Sequence, residues 1–372
     1  MDKKAVMKKK SPLRKGLRLI FTLVGLFLLY VVGAILHATL TDYQPQDTIA
    51  IKPSFDAEVA EIGDSSLTFF IWNIGYGGLG AKSDFFYEDE GSLRSGNSSV
   101  RPDKATSDMY FAGIQKTIKS NPADFYLLQE VDIDSKRGHH RNQLEGIHKV
   151  LPKSFASFAT NYNVKRVPLP VLEPWNVYGK VVGGLGTFSK YQPDIVTRLQ
   201  LPGSYSWPTR VFQLDRCVAY HEFPMKNGKK LVVMNVHNSA FDKGGELKKQ
   251  QMAFIKQLAM DAYQKGNYVV LGGDWNQNPP GFRPQTYQPG YTTKLAIPIA
   301  TDAFPEGWVW VYAPDFPTNR SVKDPYVKGE TPVTTIDFFL LSPNLRAVKT
   351  KVINVDFEYS DHQPVWMELL VL

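Results

Sequence analysis

The sequence predicts an α/β domain preceded by one membrane-spanning helix. Three observations support this prediction: a long apolar run near the N-terminus, short apolar runs that alternate with helical patterns from residue 67 onward, and polar residues at the ends of those short runs. Of the 372 residues, 43% are hydrophobic and 21% are charged, a balance typical of globular proteins. This composition excludes a disordered or collagen-like chain.

The positive charge of the chain is confined to its N-terminus. Residues 1–18 hold eight Lys or Arg and one Asp, a net charge of +7 that equals the net charge of the whole chain. The remaining 354 residues carry 35 basic and 35 acidic residues. Binding to nucleic acid without regard to sequence draws on a surplus of Lys and Arg, so a neutral body argues against that class of protein.

Leu19–Leu40 predicts a transmembrane helix. These 22 residues include no Asp, Glu, Lys or Arg, and as a helix they would span about 33 Å, the thickness of a hydrocarbon core. The bases of residues 1–18 predict that the basic tail stays in the cytoplasm and that the rest of the chain lies outside it. The alternative is a cleaved signal peptide, whose apolar region should be shorter; Val32-Gly33-Ala34 resembles a cleavage site but lies within the apolar run. We expect an uncleaved anchor, followed by a spacer over 41–66.

Residues 67–372 predict one α/β domain with long loops. Apolar runs predict strands at Leu67–Trp72, Phe125–Gln129, Leu231–Val236, Tyr268–Leu271, Ile336–Leu341 and Pro364–Leu372. One-sided apolar stripes predict helices over Lys104–Lys119 and Glu246–Tyr263. Segments rich in Gly, Pro and aromatic residues predict loops at 75–103, 161–180, 279–293 and 313–332. Loops of this length in a compact domain are usually functional or disordered.

Several predicted strands end or begin with an acid, an amide or an imidazole. In chain order the motifs are Trp72-Asn73, Gln129-Glu130-Val131-Asp132, Asn235-Val236-His237, Gly273-Asp274-Trp275-Asn276, Ile336-Asp337 and Ser360-Asp361-His362. Each motif alone is more often a cap, a turn or a structural hydrogen bond. Together they indicate a ligand site at the strand ends, where α/β sheets bind ligands. Oxygen donors without clustered Cys or His favour Mg²⁺ or Mn²⁺ over zinc.

The order and composition of these six motifs resemble the endonuclease/exonuclease/phosphatase superfamily, whose members are similar to deoxyribonuclease I. The resemblance extends over about residues 67–372, and its most specific parts are the motifs at 273–276 and 360–362. It implies a four-layer α/β sandwich, with two mixed β-sheets flanked by helices, and the hydrolysis of a phosphate ester with a divalent metal, Mg²⁺ or Mn²⁺.

The resemblance also implies a metal shell. Glu130 is expected to bind the divalent metal directly, with Asn73 beside it and Asp361 as a further candidate ligand.

Five further residues are implied to be catalytic. Asp274 is expected to orient and deprotonate the attacking water, and Asn276 to donate hydrogen bonds to phosphoryl oxygens. Asp337 is expected to fix the ring of His362, which would stabilise the charge that develops at phosphorus. His237 is expected either to protonate the leaving group or to hold a phosphate oxygen. No substrate-binding residue is predicted.

Three other signals are interpreted as structural. Gly75–Gly80 fits G-x-G-x-x-G, but no helix or ribose-binding acid follows at the required distance, so we reject a dinucleotide site. Arg137 and Arg216 could contact phosphate, but they are interpreted as solvated loop cations. One group of acids and histidines lacks the spacing of metal ligands and is predicted to form a polar surface: Asp132, Asp134, His139, His140 and His148.

The substrate is predicted to be a phospholipid or another small phosphodiester rather than nucleic acid, and the chain is expected to act as a monomer. The loop at 75–103 carries Phe85 and Phe86, which would either enter a membrane interface or pack within the domain. The alternatives are an extracytoplasmic nuclease of the same superfamily and a tethered binding protein that has the fold but no turnover.

Overall fold

The computed structural model describes residues 12–89, 91–240, 242, 244–284 and 287–372. The helices are α1 Pro12–Leu40, α2 Phe86–Asp89, α3 Lys104–Ser120, α4 Gln143–His148 and α5 Glu246–Gln264. The first eight strands are β1 Thr48–Ala50, β2 Ser66–Asn73, β3 Phe125–Asp132, β4 Phe155–Val167, β5 Gly179–Ser189, β6 Ile195–Gln200, β7 Cys217–Pro224 and β8 Lys230–His237. The next eight are β9 Tyr268–Asp274, β10 Thr292–Thr293, β11 Val309–Val311, β12 Asn319–Arg320, β13 Pro332–Thr334, β14 Asp337–Leu341, β15 Leu345–Val352 and β16 Val365–Val371.

The strands form two large mixed sheets and one small sheet. One large sheet has the order β15-β16-β2-β3-β5-β4 and the other β1-β6-β7-β8-β9-β14-β11, while β10, β13 and β12 form the small one. The pairs β2–β3 and β8–β9 are parallel, whereas the other pairs in the two large sheets are antiparallel. The two large sheets pack face to face, α3 and α4 cover the outer face of the first, and α5 covers the second. The predicted four-layer sandwich is confirmed.

The alternation of side chains along β2 explains why this strand is apolar at consecutive positions. Phe69 and Ile71 lie in the core between the sheets, whereas Phe70 and Trp72 face outward into the layer that contains Ile114 of α3. Successive side chains of a strand point to opposite faces, so a strand covered on both faces has no polar side. The same holds for β3, β8 and β9, which carry the other strand-end motifs.

The long hairpin of β4 and β5 is the main departure from the predicted elements. We expected a loop over 161–180, but β4 continues to Val167 and β5 begins at Gly179. The pairing has register shifts between Thr160 and Tyr162 and between Val164 and Val167, so no regular alternation marks the strand in the sequence.

The helix α1 is long and apolar enough to cross a membrane. Its C-terminal end contacts the domain, because Nε1 of Trp207 donates to Oγ1 of Thr39 at 3.1 Å. The predicted spacer over 41–66 lies along the domain rather than free of it: β1 pairs with β6, and Ile62 is buried in the core between the sheets.

The loop that follows β2 is held to the domain by Arg320. Its Nη2 donates to the carbonyl oxygens of Leu79, Gly80 and Ser83 at 2.9–3.0 Å. Beyond this clamp, Phe86 is 1% exposed. The exposure of Phe85 and Phe86 to a membrane interface is therefore not observed, because the β4–β5 hairpin provides apolar surface against which they pack.

Candidate active site

The strand register brings the sequence-predicted residues to one end of the two sheets. In the parallel pair β8–β9, His237 lies beside Asp274. In the antiparallel pair β9–β14, Asp337 lies opposite Asp274. Asn73 ends β2 next to β3, whose last residues include Glu130. Strands from both sheets thus contribute to a single polar cluster, as expected for the carboxyl ends of parallel strands.

Two of these residues adopt backbone conformations that non-glycine residues rarely adopt. The φ angle is 53° at Glu130 and 51° at Asn276. Glu130 lies where the β3–β5 pairing shifts register between Leu128 and Val131, so a bulge turns its side chain out of the ladder. Such strained conformations persist only where the surrounding fold holds them, and they are concentrated at functional sites.

Gly273 lets β8 and β9 approach closely beside Asp274. A Cβ atom at this position would lie 2.1 Å from the carbonyl oxygen of Val236, and the φ angle is 145°. Only glycine fits there, which accounts for the Gly-Asp pair in the motif at 273–276.

Asp274 accepts hydrogen bonds at both carboxylate oxygens. Nδ2 of Asn73 donates to Oδ2 at 3.0 Å and also to Oε1 of Glu130 at 3.1 Å. The backbone N–H of Asn276 donates to Oδ1 at 2.8 Å. Burial raises the pKa of Asp274 to about 7, although the nearby His362 lowers it. A carboxylate in this range can accept a proton near neutral pH.

Asn73 faces the acids through its amide nitrogen. Its Oδ1 accepts from the backbone N–H of Gly75 at 3.0 Å. In this arrangement the amide nitrogen of Asn73 holds Glu130 and Asp274 in place, and its place beside the metal stays a prediction.

His362 is buried among three carboxylates. Its Nδ1 lies 2.9 Å from Oδ2 of Asp337, and its Nε2 lies 3.8 Å from Oδ2 of Asp274 and 3.9 Å from Oδ2 of Asp361. Burial lowers the pKa of His362, but the carboxylates outweigh burial and raise it to about 10. The ring is therefore an imidazolium at neutral pH, the form that offsets negative charge at phosphorus.

His237 is in the opposite protonation state. Burial and the nearby charges of Arg216 and His362 hold its pKa well below the usual value, so the ring is neutral. Its Nε2 lies 3.4 Å from Oδ2 of Asp274, and its Nδ1 has no hydrogen-bond partner among the described residues. A neutral ring donates one hydrogen bond, which favours holding a phosphate oxygen over protonating the leaving group.

One group of described residues has its ligand atoms close enough together to hold a cation, and a separate pair of acids, Glu130 and Asp361, interacts electrostatically. Ligand atoms of Asp274, Asp337 and His362 lie within 4.8 Å of one another, but Nδ1 of His362 and Oδ2 of Asp337 already form an ion pair at 2.9 Å. Glu130 and Asp361 offer oxygen donors alone. Burial, together with the charge of Glu130, raises the pKa of Asp361 to about 6. A divalent cation would offset this repulsion, so this pair fits the chemistry of Mg²⁺ or Mn²⁺.

Gly75 leaves room for the second of these acids. A Cβ atom on Gly75 would lie 2.8 Å from Oδ1 of Asp361, and the φ angle of Gly75 is 50°. Gly75–Gly77 forms a short 3₁₀ turn, not the start of a dinucleotide-binding helix.

Arg137 and Asp132 form a buried ion pair instead of a solvated surface. Nε and Nη2 of Arg137 donate to the two carboxylate oxygens of Asp132, both at 2.8 Å. The guanidinium lies 4.0 Å from the ring centroid of Tyr76. The interpretation of both residues as solvated was wrong. Each compensates the other's charge in the interior, and no local sequence pattern indicates that this pair is buried. The other members of that group remain half-buried or exposed: Asp134, His139, His140 and His148.

Two cations outside the predicted set of site residues lie at the site. Arg216, interpreted as a solvated loop cation, instead lines the cavity, and its Nη1 has no partner in the part of the chain that the structure describes. Burial lowers the pKa of Arg216, whereas Asp274 and Glu130 raise it. Lys248 of α5 is 6% exposed and its Nζ donates to the carbonyl oxygen of Asn276 at 3.0 Å. No sequence pattern distinguishes either residue from surface cations.

The polar cluster lines a cavity of about 670 Å³, to which it contributes Glu130, Asp274, Asp361 and His362. The remaining wall is mainly apolar and includes Phe85, Val167, Leu169, Phe212, Leu214 and Ile297. A volume of this size is typical of sites for small molecules.

Comparisons with known proteins agree with this site. A sequence profile of the Endonuclease/Exonuclease/phosphatase family matches residues 71–362. The chain belongs to this family. Members of the endonuclease/exonuclease/phosphatase family hydrolyse phosphoester bonds with divalent metals, so the chain is a metal-dependent phosphoric ester hydrolase. The resemblance inferred from the six motifs is confirmed.

Solved structures show the same fold. An endonuclease/exonuclease/phosphatase from Beutenbergia cavernae has a TM-score of 0.51 and 17% identity, with 83% of this chain and 72% of that chain covered. ANGEL2, described as a 2',3'-cyclic phosphatase, has a TM-score of 0.51 and 14% identity, with coverage of 88% and 99%. Truncated TDP2 from Caenorhabditis elegans has a TM-score of 0.51 and 13% identity, with coverage of 84% and 100%. No curated protein matches the chain by sequence.

Proposed function

We propose that the protein is a membrane-anchored phosphodiesterase whose substrate is a phospholipid or another small phosphodiester with an apolar group. The observation that carries this proposal is the cavity, in which an apolar wall adjoins the cluster of acids and the imidazolium. Such a cavity offers a phosphate-binding end and a region that favours hydrocarbon over water.

The residues of the polar cluster have complementary roles in the hydrolysis of a phosphodiester. Asp274 orients a water molecule in line with the phosphorus and takes its proton, which its raised pKa permits. His362 and Arg216 offset charge on the phosphoryl oxygens. A divalent cation held by Glu130 and Asp361 would polarise a phosphoryl oxygen.

Asn276 and His237 supply hydrogen bonds. Nδ2 of Asn276 donates one N–H to the carbonyl oxygen of Asn238 at 2.9 Å, which leaves the second N–H of that amide for a phosphoryl oxygen. We assign the single N–H of the neutral His237 ring to Nε2, which lies 3.4 Å from Oδ2 of Asp274.

The charge distribution supports a small substrate over a polynucleotide. Residues 19–372 have no net charge, whereas tracking a phosphate backbone draws on several Lys or Arg contacts. Mg²⁺-dependent turnover of the full chain in mixed micelles should therefore be faster on a long-chain phospholipid than on plasmid DNA at equal phosphate concentration. Rapid plasmid nicking without lipid turnover would make the protein an extracytoplasmic nuclease.

Two exposed residues at the cavity rim offer a direct test of the apolar wall. Leu295 and Ile297 are 62% and 47% exposed, so Leu295→Ser and Ile297→Ser should not disturb folding. We expect both variants to slow phospholipid turnover several-fold and to spare a soluble chromogenic diester. Val348→Ser, at a 54% exposed position on β15, is the matched control. An equal loss on both substrates would contradict a role for the wall in binding the apolar group.

The orientation of the anchor follows from the charges that precede α1. Protease added to intact cells or spheroplasts should release a fragment containing most of the chain, because the positive-inside rule keeps residues 1–18 in the cytoplasm. Release only after permeabilisation would reverse the orientation.

A further inference from the structure

We infer that the domain touches the lipid surface a second time, through an exposed face that we call the tryptophan face: Leu93, Leu172, Trp175 and Trp207. This inference rests on the proposed anchoring by α1 and adds how the domain lies on the bilayer.

The exposure of these side chains sets them apart. Trp175 is 77% and Trp207 is 57% exposed, and Leu93 is 58% exposed. The other five tryptophans of the chain are buried or half-buried. Exposing indole to water forfeits its hydrophobic stabilisation, whereas the membrane interface accommodates both its apolar ring and its N–H group.

The face is continuous with the end of the membrane helix. Nε1 of Trp207 donates to Oγ1 of Thr39, the residue before the last one of α1. Arg210, three residues further on, lies 3.4 Å from Asp42. These contacts place the loop of Trp207 at the level where α1 would leave the bilayer.

Backbone hydrogen bonds join the other members of the face. The N–H groups of Val171 and Leu172 donate to the carbonyl oxygens of Ser92 and Leu93, both at 3.0 Å, so the β4–β5 connection and the segment with Leu93 form one surface. Oη of Tyr162 on β4 donates to the carbonyl oxygen of Phe212, which ties this hairpin to the loop of Trp207.

The charges around the face match anionic headgroups. Arg94, Lys165 and Arg166 are exposed, and Nη2 of Arg166 donates to the carbonyl oxygen of Pro174, next to Trp175. Of the acids beside the face, Glu173 accepts hydrogen bonds from Ser95, and Asp42 pairs with Arg210. Bases beside aromatic residues are typical of segments that lie on anionic membranes.

The same loops also form the cavity wall. Leu169 and Phe212 line the cavity, whereas Leu172 and Trp207 lie further along the same loops and face outward. With the tryptophan face on the bilayer, a lipid enters the cavity along these loops without crossing bulk water.

Tryptophan quenching tests this contact because α1 contains no tryptophan. We would place the full chain in nanodiscs of phosphatidylcholine and phosphatidylglycerol with brominated acyl chains, which quench indole fluorescence at short range. The wild type should be quenched relative to nanodiscs with ordinary lipids, and Trp175→Phe with Trp207→Phe should remove most of the quenching. Trp366→Phe, at a half-buried tryptophan on β16, is the control and should leave quenching unchanged.

The outcomes separate this inference from the proposed anchoring. A chain that elutes apart from the nanodiscs overturns the anchoring itself. A chain that stays in the nanodiscs and shows no quenching, or shows equal quenching in the double variant, overturns the tryptophan face and leaves the anchor standing. Turnover of a soluble diester, which needs neither tryptophan, shows that the variants are folded.

Discussion

Asp337 fixes the ring of His362 from the first residue of β14, with 2.9 Å between Oδ2 and Nδ1. The backbone of His362 is held from a second strand, because Nε1 of Trp72 donates to the carbonyl oxygen of His362 at 2.9 Å. The imidazolium therefore depends on two strands from different sheets, β14 and β2. Its position is set by the packing of the sandwich as much as by its own motif.

Asp337→Asn should lower the turnover number by about a hundredfold or more, the scale of a positioned charge or proton-transfer group. The KM should change little, because Asp337 contacts the ring and not the substrate. Steady-state kinetics on a chromogenic diester would measure both constants. Asp302→Asn, at an exposed position, is the matched control. Wild-type turnover in Asp337→Asn would remove His362 from the mechanism.

Removing divalent metal should abolish hydrolysis and lower thermal stability, and Mg²⁺ or Mn²⁺ should restore both, because a cation bound only by the folded chain stabilises it. Glu130→Gln should lose most of the metal-dependent rise in melting temperature, which can be measured without turnover. Glu306→Gln, an exposed acid outside the site, should keep it. An equal rise in Glu130→Gln would place the metal elsewhere.

Breaking the ion pair of Arg137 and Asp132 should be costly, because a buried charge would be left without its partner. Arg137→Met should lower the free energy of unfolding by about 3–5 kcal/mol. Adding Asp132→Asn should recover part of that loss. Chemical denaturation of the four forms in detergent gives the coupling energy, and losses that simply add would contradict the pairing. Lys104→Met, from an exposed ion pair, should cost less than about 1 kcal/mol.

His221 should make the fold sensitive to acid. The ring is buried with Nε2 2.8 Å from Oγ of Ser157, and burial lowers its pKa from 6.5 to about 4. Between these two pKa values the ring is neutral in the folded chain and protonated in the unfolded chain. The contribution of His221 to the free energy of unfolding is therefore full above pH 6.5 and is lost as the pH falls toward 4. The loss amounts to about 3 kcal/mol.

His221→Gln should therefore lose less stability than the wild type between pH 6.5 and 4, measured by denaturation at each pH. Ser157→Ala is the informative control, since it removes the hydrogen-bond partner and keeps the titrating ring. It should lower stability at every pH and retain the acid dependence. Parallel curves for the wild type and His221→Gln would show that this ring does not control the response to acid.

The sequence alone was sufficient to predict the strands that are buried on both faces. β2, β3, β8 and β9 were predicted within three residues of their ends, since continuous apolar runs need no tertiary information to be recognised. β4, β6, β7 and β15 were not predicted. The burial along β15 has no regular alternation, and only its first and last residues are buried. Edge strands and long hairpins are specified by their neighbours, which no local pattern reveals.

The residues of the candidate site likewise fall into those that the sequence predicts and those that only the structure shows. Its acids, amides and imidazoles stand in motifs at strand ends, so the topology that brings the strands together also brings them together. Arg216 and Lys248 reach the cavity from elements whose local sequence is ordinary. Whether a cation is solvated or buried depends on what faces it, and that is decided by tertiary contacts alone.

The segment between α1 and the first sheet sets how far the enzyme can reach. Seven residues separate Leu40 from Thr48, at most about 25 Å of chain, and Asp47 is already tied to the domain through the N–H of Gln200 at 2.8 Å. With α1 in a membrane, as proposed, a connection this short would confine catalysis to the membrane that holds α1. Encounter with a lipid substrate then depends on lateral diffusion in two dimensions. Turnover should follow the mole fraction of substrate in the surface and be indifferent to its bulk concentration.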